Sequence, residues 1–418
     1  MILRREYLEK IKTFIDGPMI KVITGIRRSG KSYLLKQIIQ EIKTTRASES
    51  QICFINKESL DFDDIQNYKD LNNYVKEFFA KGSSGKKYLF IDEIQDIHEW
   101  EKAIRSFFAE DDFDIYITGS NANLLASELA TYLSGRYIEF SVYPLSFKEF
   151  LEFRGEHGSF EDEFKLYLRY GGFPALHLLP MNDEAIFPSL KAIYNTVVLK
   201  DIISRNKIRD VALLEKIILF IMDNQGSIFS ANSIAKYLKS QQIKAGVDTI
   251  QNYLKYIEAS FLLNKVRRYD LKGKRHFEMK EKYFLADHGI RNAILGFRET
   301  DISGTLENIV YLELLRRGYT VDIGELDAGE IDFVATKAEQ KIYIQVCFQL
   351  NSQETIEREF KPLLKINDHY PKLIISSDQF FTAKDSHGVD RINIINFLLE
   401  RTIVTWATEI PGCDTERH

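Results

Sequence analysis

Apolar and polar positions alternate between two rhythms along this chain. Met19–Thr24, Gln51–Asn56, Tyr88–Ile91 and Asp114–Thr118 are short runs rich in β-branched and aromatic residues, and they predict strands. Between them, Tyr33–Ile42 and Asn72–Ala80 carry apolar residues at helical spacing with no Pro or Gly. Apolar strands alternating with helices predict an α/β unit built on a parallel sheet buried on both faces. Ahead of it, residues 1–16 predict an amphipathic helix with Leu3, Tyr7, Leu8, Ile11 and Ile15 on one side, stopped by Asp16-Gly17-Pro18.

The rhythm changes further on. Residues 161–205 predict helices interrupted by the turn Gly171-Gly-Phe-Pro174. Three helices follow, Val211–Asn224, Ala231–Leu238 (with Ser230 as N-cap) and Asp248–Glu258, then a hairpin of Leu262–Tyr269 and Arg275–Lys280. Three helices and a hairpin make a winged helix. A last unit opens with the helix Thr305–Gly318 and the consecutive strands Tyr319–Ile323, Glu330–Thr336 and Lys341–Phe348, with Lys372–Ser377 and Ile392–Leu399 completing its core. The closing Pro411–His418 predicts a frayed tail.

The chemistry begins at Gly25–Ser32, GIRRSGKS, which fits G-x-x-x-x-G-K-[ST] at every fixed position and lies between a predicted strand and a predicted helix. Glycines let successive main-chain N–H groups converge on an anion at the helix N-terminus. Gly25 opens the turn and Gly30 admits the backbone close to a phosphate. Lys31 offers an ammonium to the β/γ oxygens, and the Ser32 hydroxyl is a hard ligand for Mg²⁺. Arg27, Arg28, Ser29 and Tyr33 complete the expected nucleotide-binding set.

Tyr88-Leu-Phe-Ile-Asp92-Glu93 places two acids at the C-terminal end of a buried strand. Asp92 is expected to hold Mg²⁺ through water, and Glu93 to orient or activate the attacking water. The strand ending Thr118-Gly-Ser-Asn121 should finish at the same edge, so Asn121, with Ser120 and Thr118 behind it, falls beside the γ-phosphate; an N-cap role for Asn121 is compatible. Arg136 is a cation for γ-phosphate charge, within its own subunit or across an interface. No Asn-Lys-x-Asp guanine reader is present, which favours ATP.

At 418 residues the chain exceeds one ordinary core, and 44% hydrophobic with 28% charged residues describes a soluble globular protein. A net charge of −5 gives no global attraction to nucleic acid, so such binding needs a local patch. The hairpin offers one: Lys265, Arg267, Arg268, Lys272, Lys274, Arg275 and Lys280 against Asp270 and Glu278. This basic wing could meet duplex DNA through its phosphates, or the winged helix could serve as a packing module. Cys53, Cys347 and Cys413 are scattered and odd in number, as in a reduced cytoplasm. The charged N-terminus is no signal peptide, and no apolar run is long enough for a membrane span.

TGIRRSGKS, LFIDEIQ, ITGSNANLL, LSGRYIEFSVYPLSFKEF and RYGGFPAL, in this order, resemble a widespread prokaryotic group of AAA-type ATPases with a C-terminal domain of unknown function. The resemblance spans nearly the whole chain. It implies an AAA-like P-loop core at 1–150, a helical lid at 151–205, a winged helix at 206–290 and a restriction-endonuclease-like α/β domain at 291–410. In such proteins the Asn121 position is called sensor 1. The nuclease-like core implies metal ligands at Glu307 and Asp332 and, on the third strand, an acid or Gln followed one spacer later by a Lys. This chain has Gln345-Val346-Cys347 there, and a thiol cannot replace an ammonium, so the nuclease site reads as degenerate. The resemblance implies no known biological role. The expected function is a Mg-dependent ATPase acting as a switch on a DNA or protein partner. The alternatives are an ATP-gated nuclease and a slowly hydrolysing adaptor. The partner and the oligomeric state stay open.

Overall fold

The computed structural model describes residues 2–80, 82, 85–122, 133–155, 158–271, 275–326, 329–378, 383–384 and 388–400. Its first half is a five-stranded, wholly parallel sheet. In chain order the elements are α1 (Arg5–Lys12), β1 (Ile20–Thr24), α2 (Lys31–Thr45), β2 (Ile52–Asn56), α3 (Tyr68–Ala80), β3 (Lys87–Asp92), α4 (Trp100–Ala109), β4 (Phe113–Gly119) and β5 (Tyr137–Ser141), with the strands ordered β2-β3-β4-β1-β5. Side-chain alternation explains why these strands are apolar throughout. Val22, Leu89, Ile91, Ile115 and Ile117 face Leu71, Val75, Ile104 and Phe107 of α3 and α4, whereas Ile23, Phe90 and Tyr116 face Leu34, Leu35, Ile38 and Ile42 of α2 and Leu8 and Ile11 of α1.

One polar residue interrupts β1. Lys21 is fully buried and paired with Asp114 of β4, whose carboxylate also accepts from Tyr116 Oη and Asp16 N, both at 2.9 Å. A buried charge of this kind persists only when matched and hydrogen-bonded. The N-terminal helix is shorter than its apolar spacing predicts: α1 covers one stretch of eight residues, Leu3 is exposed, and Ile15 is buried from the turn after the helix.

Beyond β5 come α5 (Phe147–Arg154), α6 (Phe160–Tyr170) and α7 (Asp183–Thr196), which runs into a π-helical stretch, Val197–Ser204. Then follow α8 (Val211–Asp223), the short β6 (Ile228–Phe229), α9 (Ala231–Ser240), α10 (Val247–Ala259), β7 (Leu263–Asp270), β8 (Arg275–Leu285) and α11 (His288–Leu295). The last unit comprises α12 (Ile302–Arg316), β9 (Thr320–Leu326), β10 (Gly329–Lys337), β11 (Gln340–Val346), α13 (Gln353–Leu364), β12 (Lys372–Ser376), β13 (Ala383–Lys384), β14 (Asp390–Asn393) and α14 (Ile394–Leu399).

The hairpin is joined to this last unit. Strand β7 pairs in parallel with β9, Arg268 opposite Ile323 and Asp270 opposite Glu325, so a single nine-stranded sheet runs β13-β14-β12-β11-β10-β9-β7-β8-β6. Helix α12 lies on it with Leu306, Ile309, Val310 and Leu314 buried against Phe284, Ile323 and Phe333. Among the described residues, no helix is long and apolar enough to cross a membrane.

Candidate nucleotide site

The loop between β1 and α2 needs its glycines. Gly25 has φ +142°, and a Cβ there would lie 2.2 Å from the Val142 carbonyl oxygen. Gly30, at φ +101°, caps α2 from the left-handed region. The turn leaves Ser29 fully buried with an Oγ that has no partner, and Arg28 exposed at φ +70°. The Lys31 ammonium folds back over the loop, donating to the carbonyls of Gly25 at 3.0 Å and Ile26 at 3.3 Å, with the Glu93 carboxylate at 3.6 Å. Tyr33 is 60% exposed, so its ring stands free of the loop.

The acids at the end of β3 arrive at the same edge. The Ser32 hydroxyl stands beside the Asp92 carboxylate and favours its ionised form, and Thr118 Oγ1 donates to that carboxylate at 2.5 Å. The same Thr118 oxygen accepts from Glu93 N at 2.9 Å, so one hydroxyl fixes both acids. Glu93 is itself in the left-handed region, at φ +56°, which turns its carboxylate back over the sheet edge. Ser120 Oγ donates to it at 3.0 Å and the Gln95 amide at 2.5 Å. Burial opposes its ionisation, but Lys31, Gln95, Arg27 and Ser120 together outweigh that and hold its pKa below the ordinary carboxylate range. Burial dominates at Asp92 and lifts its carboxyl, with Glu93 adding to the effect. Asn121 is buried at the end of the neighbouring strand. The adjoining Ala122 N donates to the Ala259 carbonyl at 2.8 Å, tying this edge to the end of α10.

Two predicted members are placed differently. Arg136 is not brought to this edge. It precedes β5, with its carbonyl accepting from Ile20 N, and its guanidinium lies 5.8 Å from the Phe108 ring centroid. That is the opposite end of β1 from the loop, roughly 13 Å away by strand rise. Arg136 therefore stands away from the loop of its own chain in this structure. Arg27 does belong to the loop, but its guanidinium is engaged by other carboxylates, donating to Asp201 at 3.1 and 3.4 Å and to Glu58 at 2.7 Å.

The polar pair Lys200-Asp201 suggests a solvated helix end, which holds for the half-exposed Lys200 and fails for Asp201. Asp201 is fully buried beneath the loop, and Lys200 lies 3.9 Å from Asp96, just past Glu93. The π-helical stretch thus grips both the phosphate loop and the segment after the acids. Arg4 is a second residue that sequence reasoning missed. It is 2% exposed, forks onto Glu149 at 2.6 and 3.1 Å, and donates to the Ser29 carbonyl at 3.0 Å. Its only local signal was a basic residue ahead of a helix.

Several observations fit a nucleoside triphosphate with its metal. The Lys31 ammonium occupies carbonyls that phosphate oxygens can replace, the Ser29 hydroxyl is buried without a partner, and Ser32 and Asp92 present adjacent hard oxygens. Sheet order, loop and paired acids together define a P-loop ATPase fold of the AAA type. Residues 17–151 match the AAA domain family, and residues 161–301 match a Domain of unknown function (DUF8612). The Walker-type ATPase PABY2304 of Pyrococcus abyssi superposes with a TM-score of 0.50 at 15% identity, over 70% of this chain and 95% of that one, a likeness of fold.

The chain is 39% identical to an uncharacterized protein of Haemophilus influenzae over 96% of its own length and 99% of the relative's. It is 32% identical to the uncharacterized protein MJ1544 of Methanocaldococcus jannaschii, over 87% and 83%. It belongs to the family these proteins form.

Of the basic wing, Lys265 is paired with Glu281 at 2.6 Å and Arg268 with Glu325 at 2.6 Å, while Arg267 is exposed. Lys272 and Lys274, and the side chains of Asp270, Arg275, Glu278 and Lys280, lie outside the described residues.

Proposed function

We propose that the protein is a magnesium-dependent ATPase that acts as a nucleotide-driven switch on a DNA or protein partner. The observation that carries this is the convergence of Lys31, Ser32, Asp92, Glu93 and Ser120 at one sheet edge, with Thr118 fixing both acids. ATP brings the phosphoanhydride to be cleaved, and its Mg²⁺ offsets the charge that develops there. Ser32 and Asp92 are the residues to hold that metal. Lys31 exchanges the Gly25 and Ile26 carbonyls for phosphate oxygens, while loop main-chain N–H groups other than that of Ser29, which donates to the Ile26 carbonyl at 3.2 Å, line the cradle and Arg28 and Tyr33 flank it. Glu93, kept ionised by Lys31, orients the attacking water, and Asn121 registers the γ-phosphate beside it. Arg136 serves the γ-phosphate of a neighbouring subunit.

The organisation proposed for the rest runs along the chain: ATPase core 1–150, lid 151–205, winged helix 206–290, and a restriction-endonuclease-like domain at 291–410 whose nuclease chemistry is lost. A cytoplasmic location suits the free thiols of Cys53 and Cys347. The Arg27–Asp201 and Ala122–Ala259 contacts support a switch, because each joins the nucleotide site to a helix outside the core.

The test pairs two variants. Lys31→Ala should lose ATP binding, whereas Glu93→Gln should bind ATP with Mg²⁺ and stop turning it over. Wild-type protein with no magnesium-dependent affinity for ATP would refute the whole assignment, and retained binding with turnover far below one per minute would favour the adaptor. Duplex DNA is tested by ATPase rate across a salt series; no stimulation and no salt-sensitive binding leaves a protein partner.

A further inference from the structure

The buried face between β8, α12 and β10 holds a charge cluster that the ATPase chemistry does not use. Lys282, on β8, is 2% exposed, and its ammonium lies 2.9 Å from Glu307 of α12, 2.9 Å from Glu330 and 3.7 Å from Asp332, both of β10. Glu307 and Asp332 are two of the residues that the nuclease-like resemblance offers as metal ligands. Lys282 enters from a hairpin assigned on sequence to another unit.

We propose that Lys282 is the resident cation of this cluster: its ammonium takes the place of a divalent metal, the native site is closed to metal, and removing the ammonium opens a site for a hard cation such as Mn²⁺. This goes beyond the ATPase assignment and does not depend on it.

Four observations support the closure. Lys282 Nζ sits among the carboxylates at contact distance, so the cluster already has its positive centre. One Asp332 oxygen accepts from Val346 N at 2.8 Å and is spent on the main chain. Gln345, expected to offer a neutral oxygen, instead turns that oxygen to Asp332 N at 3.1 Å, where the pairing of β9 and β10 shifts register and leaves this N–H without its strand partner. Cys347, two residues on, is buried in an apolar cluster with Ile331, Val334 and Tyr343, and brings no ammonium to the site. As placed around the ammonium the acids form no metal-holding group: among the described residues, no three His, Cys, Asp or Glu side chains do.

The carboxylates themselves argue that a cation is needed. Three acids surround one ammonium. The side chains of Glu307 and Asp332 are 14% and 12% exposed, and the Lys282 ammonium is in contact with both. Without Lys282 the three carboxylates are left around an empty position with no counter-charge from this contact, a place for another cation. Mn²⁺ and Mg²⁺ prefer carboxylate and amide oxygens, and Glu307, Glu330, Asp332 and a turned Gln345 supply them.

The experiment uses the full-length, nucleotide-free protein, so that the ATPase site contributes no metal. Mn²⁺ is titrated and followed by its EPR signal in wild type, Asp332→Asn, Lys282→Ala, and Lys282→Ala with Asp332→Asn. Wild type should bind no Mn²⁺ at this site at 1:1 protein to metal, Lys282→Ala should bind one ion with sub-millimolar affinity and gain thermal stability from it, and Asp332→Asn should abolish both effects. A folded Lys282→Ala protein that binds no Mn²⁺ overturns the proposal. So does a wild-type protein that binds one ion and loses it with Asp332→Asn alone. Because Lys282→Ala could fail to fold, Lys282→Met, which keeps the aliphatic stem, is measured in parallel, and the wild-type comparison stands without either variant.

Discussion

Asp201→Asn removes one charge from the contact that ties the phosphate loop to the π-helical stretch. The Asp201 carboxylate has no solvent exposure, the Arg27 side chain only 9%, and the two bonds between them measure 3.1 and 3.4 Å. Breaking a buried pair from one side costs about 3–5 kcal/mol, because the surviving charge stays buried without its partner. Here Glu58 remains 2.7 Å from Arg27, but it is 47% exposed, and such pairs contribute about 0–1 kcal/mol. Asparagine also keeps one acceptor oxygen. The net loss should therefore be about 2–3 kcal/mol of local stability. Hydrogen exchange reads it directly: main-chain amides of residues 26–31 in the nucleotide-free protein should exchange roughly 30–100 times faster, with little change in the nine-stranded sheet. A double replacement, Arg27→Met with Asp201→Leu, should recover much of the protection, since it leaves no orphaned charge. If Asp201→Asn changes exchange less than about twofold, the contact does not hold the loop, and the coupling drawn from it is wrong.

Arg4→Ala should strand the buried Glu149 carboxylate and free the Ser29 carbonyl, costing about 3 kcal/mol and weakening ATP affinity. Arg4→Lys should rescue little of either, because a point charge cannot make both the forked bond to Glu149 and the bond to Ser29; full rescue in a nucleotide-binding titration would refute this account. His177 should make the protein acid-sensitive. Burial, with Arg154 adding to it, pushes its imidazole down to about 4, and neither ring nitrogen has a partner beside Phe150 and Phe153. A lowered folded-state pKa means this contribution is intact above about 6.5 and is lost as pH falls from there through about 4, up to about 2 kcal/mol for a partly exposed ring. His177→Phe should remove that increment between pH 6.5 and 4 in thermal unfolding; an unchanged wild-type slope would count against it.

How much the sequence disclosed depends on the range of the interactions involved. The phosphate loop, the acids after β3 and the polar end of β4 were legible because each is a local pattern, set by glycine geometry and by apolar runs buried on both faces. Thr118 was seen as a neighbour of the site, but its double service to Asp92 and Glu93 depends on strand register. Arg4 and Asp201 were illegible because their partners lie 145 and 174 positions away, and a charged residue beside a helix looks solvated until those partners are known. The helix Gln353–Leu364 went unread because its exposed face carries most of its residues. Lys282 sits in an alternating charged strand where nothing marks it from Lys280, and only the arrival of α12 and β10 encloses it.

The parallel pairing of residues 268–270 with 323–325 has a mechanical meaning. A hydrogen-bonded sheet transmits force far more stiffly than a linker, so the hairpin cannot flap against DNA, or against anything else, while the final unit stays still. Both must swing as one boom. That boom is anchored broadly to the first half of the chain, through Lys10 and Pro144 on Arg316, Gly172 on Asp287, and the rings of Phe147 and Phe150 in the core under α12, so a load on any of the nine strands is shared by all of these contacts.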